Sequence, residues 1–415
     1  MKKQKEEKRS LGRSGGDEKS VGGREEKSVS GGEEKSGSGG SWENGTIRET
    51  GRDKHGKERN RMTKKRLASG IQLLLVIVLI LTGTTSCRKD TEPVQDNLFA
   101  MDTYITFSVW GGDHPGDALN AARERIREIE QRMSVTVEDS DVSRINRNAG
   151  KQPVPVHSDT FFVIQKALQY AKRSNGAFDI STLPVSSLWN IGKENQRIPA
   201  REEIEEKLPL VDYKKVKLDK EKKTVFLEKE GMGLDLGGIA KGYAGDETVR
   251  ILKKNGVTHA LVNLGGNIAV VNGKEDGTPW RIGIQNPRME EDKKQRKHVA
   301  VVETKEEAVV TSGDYERYMT EVYKKTGKRY HHIIDPQTGY PADNGVISAT
   351  VLDKNGIDAD ALTTSLFVLG VKDGLKLADQ SGIPAMLITR DKKLYFSKAL
   401  KGKVSGIHPD YKIAN

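Results

Sequence analysis

Downstream of the N-terminal region, hydrophobic side chains recur at two spacings, one typical of helices and the other of strands. Spacings of three and four residues predict helices over 117–133, 143–150 (one turn of helix that ends in a loop), 158–171, 202–208, 243–254, 360–369 and 372–380. Ser158 is the expected cap of the third helix. Alternating or short apolar runs predict strands over 99–110, 215–218, 224–227, 260–264, 267–271, 280–285, 299–303, 308–311, 346–352, 386–388 and 394–396.

Most connections between the predicted strands are short, and several contain a turn dipeptide such as Asn272-Gly273. Strands joined by short turns pair antiparallel, and the interspersed helices must pack over the sheet that they form. We therefore predict an α+β fold, with a twisted antiparallel sheet or sheets and packed helices, in one domain over 99–405.

The first 61 residues have a different character. They repeat Gly-Gly-Asp-Glu-Lys-Ser in three related forms. Such a stretch buries too little apolar surface to offset the entropy lost on ordering it, so we predict a disordered tail over 1–61. Met62-Thr-Lys-Lys-Arg resembles the start of a signal peptide, and initiation at Met62 is the alternative for this segment.

An uncharged apolar run over 71–81 follows three basic residues and precedes Cys87, the only cysteine. This is the layout of a secretory signal peptide, and the run is shorter than the about 20 residues of a membrane span. The position of Cys87, directly after small residues, resembles a bacterial lipoprotein cleavage site, although Thr84 replaces the usual leucine three residues before the cysteine. We predict a signal peptide over 62–87, lipidation at Cys87, a tether over 88–98 and a lipid-anchored location on the extracytoplasmic face of the cell membrane. An uncleaved signal anchor is the alternative.

The formal net charge of +10 is concentrated at the N-terminus. Residues 1–90 contain 21 lysines and arginines against 13 aspartates and glutamates, a net charge of +8. The remaining chain is therefore close to neutral. The basic region also lacks the interleaved aromatic residues on which a single-strand binder would stack bases, so we do not interpret the charge as nucleic-acid binding.

The glycine-rich stretch from Gly231 to Asp246 leads into a predicted helix. Asp235 precedes the Gly237-Gly238 pair, and Lys241 lies in the first turn. The first N–H groups of a helix have no intrahelical partner and can face an anion, and a lysine there opposes the helix dipole unless a phosphate is bound. The stretch matches neither a P-loop nor a dinucleotide fingerprint. A tight turn followed by a solvated lysine is the simpler alternative.

Asp360 and Thr364 lie four residues apart at a predicted helix start, so their side chains share one face. Carboxylate and hydroxyl oxygens suit Mg²⁺, which usually also binds substrate phosphate. Asp358 lies just before them, and Gly238 offers a backbone carbonyl. An Asp360 that only caps its helix is the alternative.

Three further groups are candidates for chemistry. His331-His332 offers a titratable base, although a lone histidine is more often structural. Thr311 and Ser312 place two hydroxyls at the end of a strand, where they bind a phosphate or form a turn. Phe178 and Asp179 follow the Asn175-Gly176 turn and lie at a loop tip, or form a buried Phe and an Asx turn.

Taken in order, these segments resemble the ApbE family of bacterial flavin transferases, and the resemblance covers 99–396. Eight motifs carry it: Met101-Asp-Thr, Ser143-Arg-Ile-Asn, Gly176-Ala-Phe-Asp, Asp235-Leu-Gly-Gly-Ile-Ala-Lys-Gly, Asn263-Leu-Gly-Gly-Asn, Thr311-Ser-Gly-Asp, His332-Ile-Ile-Asp-Pro-Gln-Thr-Gly and Asp360-Ala-Leu-Thr-Thr. Each motif is weak alone, whereas eight in the same order are specific.

The resemblance implies that FAD is the substrate and that Mg²⁺ is required. It implies cleavage of the FAD pyrophosphate, release of AMP and transfer of FMN through a phosphoester to a Thr or Ser of an extracytoplasmic flavoprotein, such as a redox-driven ion pump subunit. It places the flavin nucleotide at Met101, Ala177, Phe178, Asp179, Asp235, Lys241 and Ile334. It places the metal at Gly238, Asp360, Thr363 and Thr364, and the base at His332. The chain departs from the family at Met133-Ser-Val-Thr136, which lacks the usual aromatic residue.

Two other functions use the same residues. A Mg²⁺-dependent FAD pyrophosphatase would use water in place of the protein hydroxyl. A flavin-binding lipoprotein would hold the nucleotide without catalysis, but storage alone requires no metal ligands.

Overall fold

The computed structural model describes residues 92–292 and 294–415. The predicted tail over 1–61, the signal peptide over 62–87 and the lipidation site Cys87 lie outside the described residues. The described residues form one compact unit. Within the described residues, no helix combines the length and the apolar character that a membrane span requires.

The strands are short and numerous. In chain order they are β1 (Val94–Ala100), β2 (Thr103–Trp110), β3 (Val154–Pro155), β4 (Val216–Asp219), β5 (Thr224–Leu227), β6 (His259–Leu264), β7 (Asn267–Val271), β8 (Trp280–Gln285), β9 (His298–Thr304), β10 (Ala308–Gly313), β11 (Val346–Asp353), β12 (Ala385–Thr389), β13 (Lys393–Phe396), β14 (Val404–Ser405) and β15 (Lys412–Ile413). Nine form one sheet, in the order β1-β2-β6-β7-β10-β11-β12-β13-β15. Two three-stranded sheets, β14-β9-β8 and β3-β5-β4, accompany it.

The helices are α1 (Pro115–Met133), α2 (Asp141–Arg147), α3 (Ser158–Arg173), α4 (Leu183–Trp189), α5 (Arg201–Lys207), α6 (Ala240–Lys254), α7 (Thr320–Thr326) and α8 (Gly356–Gln380). The pairs within the large sheet are antiparallel apart from β13 with β15. The predicted α+β class is therefore confirmed.

The large sheet separates two hydrophobic cores. Alternate side chains of β2, including the fully buried Ile105 and the almost fully buried Phe107, pack with the apolar faces of α1, α6 and α8. On the opposite face, Val309 and Ile347 pack against Ile282 and Val302 of the β14-β9-β8 sheet. Removing a buried aromatic side chain such as Phe107 costs about 3–5 kcal/mol in typical cores. Both cores hold the sheet rigid beneath the loops at its end.

Helices α6 and α8 cap each other. Asp246 of α6 accepts hydrogen bonds from the backbone N–H groups of Gly356 and Ile357, at 2.5 and 2.9 Å. Asp360 of α8 in turn accepts one from Gly242 N–H at 2.8 Å. The helices approach closely here, because a Cβ atom on Gly242 would lie 2.2 Å from the Gly356 carbonyl oxygen. Each helix N-terminus is thus satisfied by an acid from its neighbour, which fixes the position of Asp360.

Three predicted boundaries near the start of the domain are wrong. The tether predicted over 88–98 contains most of β1, which pairs with β2 from Val94 onward. The single strand predicted over 99–110 is a hairpin, in which Met101-Asp102 forms a two-residue turn. Ser158 begins α3 instead of capping it; the cap residue is His157, which makes no side-chain capping bond.

Three helix predictions also needed correction. The last long helix begins at Gly356, four residues before Asp360, and Gly370 with φ 76° separates its two predicted parts. Two short helices, α4 and α7, were not predicted. The turn of helix predicted within 143–150 belongs to α2, which begins earlier, at Asp141, where the Ser140 hydroxyl accepts a hydrogen bond from Ser143 N–H.

Candidate active site

A cleft of about 600 Å³ opens at one end of the large sheet. Its wall is formed by the turn between β1 and β2, the turn between β6 and β7 and the end of β10. The start of α6 and one face of α8 complete it. Most of the residues predicted for the site line this cleft, although they are separated by up to about 260 positions in the sequence.

The glycine-rich turn before α6 is held by backbone contacts. The Asn146 side chain accepts a hydrogen bond from Leu234 N–H and donates one to Leu234 C=O, at 2.7 and 3.0 Å. Asp235 accepts a hydrogen bond from Gly237 N–H at 2.8 Å, which closes an Asx turn. Lys241 is half-buried, and its ammonium donates to the Gly237 carbonyl oxygen at 3.3 Å. The turn therefore presents one lysine to the cleft.

The predicted free N–H groups at the start of α6 are largely occupied. Ala240 N–H donates to the Leu236 carbonyl oxygen at 2.9 Å, and Gly242 N–H donates to Asp360. The prediction that this helix end faces an anion directly is wrong for these groups. The carboxylate of Asp360 takes the place that an anion would have occupied.

Asp360 does not cap its own helix. Its side chain is 3% exposed and lines the cleft, and in the described residues no lysine or arginine lies within ion-pair distance of it. A buried carboxylate with a single hydrogen bond and no cation is energetically costly. The surroundings of Asp360 are therefore suited to a bound cation.

Gly238 and Thr364 complete this corner of the cleft. A Cβ atom on Gly238 would lie 3.5 Å from Thr364 Oγ1 and 3.2 Å from the ring of Phe178. Gly238 and Thr364 are thus direct neighbours, and both line the cleft beside Asp360. A carboxylate, a hydroxyl and the backbone of a glycine provide hard oxygen ligands, which suit Mg²⁺.

Two other residues considered for the metal lie elsewhere. Thr363 is fully buried, donates a hydrogen bond to the Asp360 carbonyl oxygen at 2.8 Å and accepts one from Ser312 Oγ at 2.9 Å. Thr363 links the end of β10 to α8 through these two hydrogen bonds, and its role as a metal ligand stays a prediction. Asp358 forms an ion pair with Lys166 at 2.8 Å and does not line the cleft. Asp358, which lies just before Asp360 in the sequence, is therefore not part of the cleft.

The hydroxyls of Thr311 and Ser312, at the end of β10, bond to neighbouring protein groups while both residues line the cleft. Thr311 shares a hydrogen bond with Thr350 at 2.9 Å across the strand pair, and Ser312 donates to Thr363. Both residues line the cleft. The geometry matches neither a simple turn nor a free phosphate site, because each hydroxyl already has a protein partner.

Of the two adjacent histidines, His332 faces the cleft and His331 is structural. His331 is buried and contacts the Ala342 carbonyl oxygen through Nε2 at 2.9 Å. The His332 ring places Nδ1 3.2 Å from the Arg317 carbonyl oxygen. A carbonyl only accepts, so Nδ1 carries the proton and Nε2 keeps a free lone pair.

The charge state of His332 suits a base. Desolvation in the cleft, with repulsion from His331, Arg317 and Lys241, lowers its pKa to about 3. The ring is therefore neutral at physiological pH and can accept a proton. The same shift makes the imidazole a weaker base than a free histidine, because a catalytic base is most effective with a pKa near the working pH.

The loop from Ala177 to Asp179 forms another wall. Ala177 and Phe178 are almost fully buried, and the Phe178 ring lies against Gly238. Asp179 accepts hydrogen bonds from Ser181 and from Tyr213 N–H. Burial raises the pKa of its carboxyl group, which the hydrogen bonds oppose. The buried Phe and the Asx turn considered as the simpler alternative are both present, while all three residues line the cleft.

Met101 lies at the tip of the β1–β2 hairpin with φ 53°, followed by Asp102 with φ 56°. A bulky residue rarely adopts a positive φ, and such strain is more common at functional sites. Glu130 holds the tip by accepting a hydrogen bond from Met101 N–H at 2.6 Å. Ile334 is buried at the opposite wall, so both predicted flavin contacts line the cleft.

The loop that lacks the expected aromatic residue also lines the cleft. Its Ser134 and Thr136 hydroxyls share a hydrogen bond at 2.8 Å. Two exposed aromatic rings, Phe99 and Tyr104, line the same cleft and contact each other with centroids 5.3 Å apart. The cleft therefore offers aromatic surface from β1 and β2 instead of from this loop.

The cleft lining is predominantly acidic. Three basic residues line it, Lys193, Lys241 and Arg317, against six carboxylates, Asp102, Glu130, Asp179, Asp235, Glu316 and Asp360. The sequence did not predict that Glu130, Glu316 and Arg317 line the cleft. Glu130 matches an ordinary solvent-facing position of α1. Arg317 had a detectable signal, because it follows the Thr311-Ser-Gly-Asp motif by three residues.

Comparison with known proteins agrees with this geometry. The model of the ApbE family matches residues 101–387. The FAD:protein FMN transferase of Klebsiella pneumoniae (strain 342) is 35% identical over 289 residues, 69% of this chain and 87% of that protein. The FAD:protein FMN transferase of Treponema pallidum (strain Nichols) is 33% identical over 349 residues, 79% of this chain and 94% of that protein.

Solved structures extend the similarity to the fold. The flavin transferase ApbE from Vibrio cholerae superposes with a TM-score of 0.67 at 30% identity and covers 75% of this chain and 98% of its own. The ApbE protein from Thermotoga maritima gives a TM-score of 0.68 at 34% identity, over 76% of this chain and 100% of its own.

Proposed function

The chain belongs to the ApbE family and is a flavin transferase, and we propose that it cleaves FAD with the help of Mg²⁺ and attaches FMN to a Thr or Ser hydroxyl of a partner protein. AMP is the other product. The relatives named above are FAD:protein FMN transferases, which supports FAD as the donor. The main support for a bound metal ion is the buried Asp360 carboxylate, which has no cationic partner in the described residues and lies beside Thr364 and Gly238.

The charge of the cleft supports the same conclusion. A pyrophosphate is anionic, and a lining with six carboxylates and three basic residues would repel it. Mg²⁺ bound by Asp360, Thr364 and the Gly238 backbone would neutralise the pyrophosphate and polarise its phosphorus–oxygen bonds. Lys241, whose ammonium lies 3.3 Å from the Gly237 carbonyl oxygen beside this corner, adds a positive charge. A cation between the acidic residues and the anionic substrate would relieve this repulsion.

The residues of this chain have distinct tasks in the reaction. His332 Nε2 takes the proton of the acceptor hydroxyl, whose oxygen forms a bond to the phosphorus on the riboflavin side of FAD. The bond from that phosphorus to the bridging oxygen breaks, and AMP leaves with that oxygen and the electron pair. Lys241 stabilises the charge that develops on the phosphate oxygens. The Arg317 carbonyl keeps the His332 tautomer that this step requires.

The remaining walls would bind the two ring systems of FAD. Met101, Phe178 and Ile334 offer apolar surface within the same cleft as Lys241 and Asp360. We also propose that the enzyme acts at the outer face of the membrane through a lipid on Cys87. The support for this is the sequence alone: a signal-like apolar run followed by the only cysteine.

The test is to incubate the full chain with FAD, Mg²⁺ and a candidate extracytoplasmic flavoprotein, and to weigh the acceptor and the nucleotide products by mass spectrometry. Transfer predicts an acceptor heavier by one FMN less one water, together with AMP. Free FMN and AMP with an unmodified acceptor would instead establish an FAD pyrophosphatase. Unchanged FAD would leave a flavin-binding protein. His332→Ala is the matched variant, expected to bind FAD but to lose transfer.

A further inference from the structure

Arg317 is a cation of the cleft with a weakly held side chain. Its guanidinium donates to the Asp102 carbonyl oxygen at 3.1 Å and lies 3.8 Å from the Asp102 carboxylate. The side chains of Arg317 and Asp102 are 43% and 71% exposed. Exposed ion pairs of this kind contribute little to stability. The guanidinium can therefore leave Asp102 at small cost.

The backbone of Arg317, in contrast, is fixed next to the proposed base. Its carbonyl oxygen accepts hydrogen bonds from both His332 N–H and His332 Nδ1, at 3.1 and 3.2 Å. The neighbouring residue Tyr318 forms a β-bridge with His331. The chain therefore keeps the base of the Arg317 side chain at the cleft while its end remains free to move.

Asp102 is presented to Arg317 by a strained turn. Met101 and Asp102 both have positive φ values, and the Glu130 carboxylate holds the turn through Met101 N–H. A two-residue turn of this kind normally selects Asn-Gly or Asp-Gly. The hairpin tip and the 314–319 loop thus meet at the cleft through the contact between Arg317 and Asp102, which a ligand can replace.

We propose that Arg317 is a further substrate-binding residue: on FAD binding its guanidinium exchanges Asp102 for the pyrophosphate and donates two N–H groups to phosphate oxygens. This inference rests on the proposed function, since it takes the FAD pyrophosphate as the ligand. A guanidinium matches the oxygens of a phosphate in a bidentate geometry, which neither an aspartate carbonyl at 3.1 Å nor a carboxylate at 3.8 Å provides. It also supplies positive charge on the side of the cleft that carries His332.

Binding of two probes, FAD and riboflavin, to the full chain tests the proposal. Riboflavin has the same ring system and lacks the pyrophosphate. Arg317→Met keeps the length of the side chain and removes the charge. Arg390→Met is the matched control, because Arg390 forms an exposed ion pair with Asp343 at 2.6 Å and does not line the cleft. Dissociation constants are measured in EDTA without acceptor, which separates binding from metal-dependent chemistry.

Arg317→Met should weaken FAD binding by about tenfold to a hundredfold and change riboflavin binding by less than about twofold. Arg390→Met should leave both affinities unchanged. Equal losses for the two probes, or no loss of FAD affinity, would overturn the proposal. Retained riboflavin binding shows that the variant is folded. If the parent chain transferred no FMN, the proposed function would fail, while the difference between the two probes would remain measurable.

Discussion

Replacing Asp360 by asparagine separates a metal ligand from a structural cap. The carboxylate accepts one hydrogen bond, from Gly242 N–H at 2.8 Å, and an asparagine oxygen can accept the same bond. The substitution removes a buried charge that has no cationic partner in the described residues. We therefore expect the metal-free variant to keep its free energy of unfolding within about 1 kcal/mol of the parent. Alanine would instead leave Gly242 N–H unpaired and cost about 1–3 kcal/mol.

Catalysis and metal binding should respond far more strongly than stability. Loss of one preorganised charged contact typically reduces turnover by about a hundredfold or more, which corresponds to about 2.7 kcal/mol or more. For the parent, Mg²⁺ at a hundred times its dissociation constant should stabilise the folded state by about 2.7 kcal/mol. This corresponds to a melting temperature higher by several degrees. The asparagine variant should show neither the transfer nor the Mg²⁺-dependent shift.

The matched control is Asp358→Asn, two residues earlier on the same helix. Asp358 pairs with Lys166 and does not line the cleft, so its loss should reduce stability modestly and leave transfer intact. FMN transfer and melting temperature are measured for the three proteins with Mg²⁺ and with EDTA. If Asp360→Asn transferred FMN at the parental rate, and Mg²⁺ raised all three melting temperatures equally, the metal assignment would be refuted and Asp360 would serve only as a cap for α6.

Three other outcomes are expected. The pKa of His332 is lowered to about 3, so transfer by the parent should show no loss from protonation of this residue as the pH falls through 6.5, and a His332 imidazole that titrates near 6.5 by NMR would contradict this. Cys87→Ser should release the protein from membranes or block its processing, as checked by fractionation and by the mature mass; unchanged retention and mass would indicate a signal anchor. A chain that begins at Met62 should localise and transfer FMN normally, and loss of activity would show that residues 1–61 are needed.

The sequence predicted most elements, because their apolar patterns follow from one face of each element packing in a hydrophobic core. It failed where the pattern carries no such information. Helix α7 has no buried residue, so no apolar face marks it. Helix α4 spans seven residues and buries only Val185 and Trp189, too few for a periodic signal. The Met101-Asp102 turn interrupts an alternation that continues on both sides of it, and it contains no glycine, the residue that most often marks a turn with positive φ.

For the site, the sequence indicated the participating residues but not their partners. Asp360 and Thr364 share a helix face, as their spacing predicts. The hydrogen bond from Gly242 to Asp360 joins residues 118 positions apart, so no local pattern reveals it. The protonated nitrogen of His332 is likewise set by the distant Arg317 carbonyl. These contacts depend on how α6, α8 and the 314–332 segment pack, which only the folded chain defines.

The central claim is that the corner formed by Gly238, Asp360 and Thr364 holds the divalent cation used on FAD. A crystal of the full chain grown with FAD and Mn²⁺, in place of Mg²⁺, would locate the cation by anomalous scattering. We expect a peak within about 2.0–2.2 Å of the Asp360 carboxylate and the Thr364 hydroxyl, with pyrophosphate oxygens on its open side. A peak at the separate Asp292–His408–Asp410 cluster alone, or FAD bound with this corner empty of metal, would contradict it.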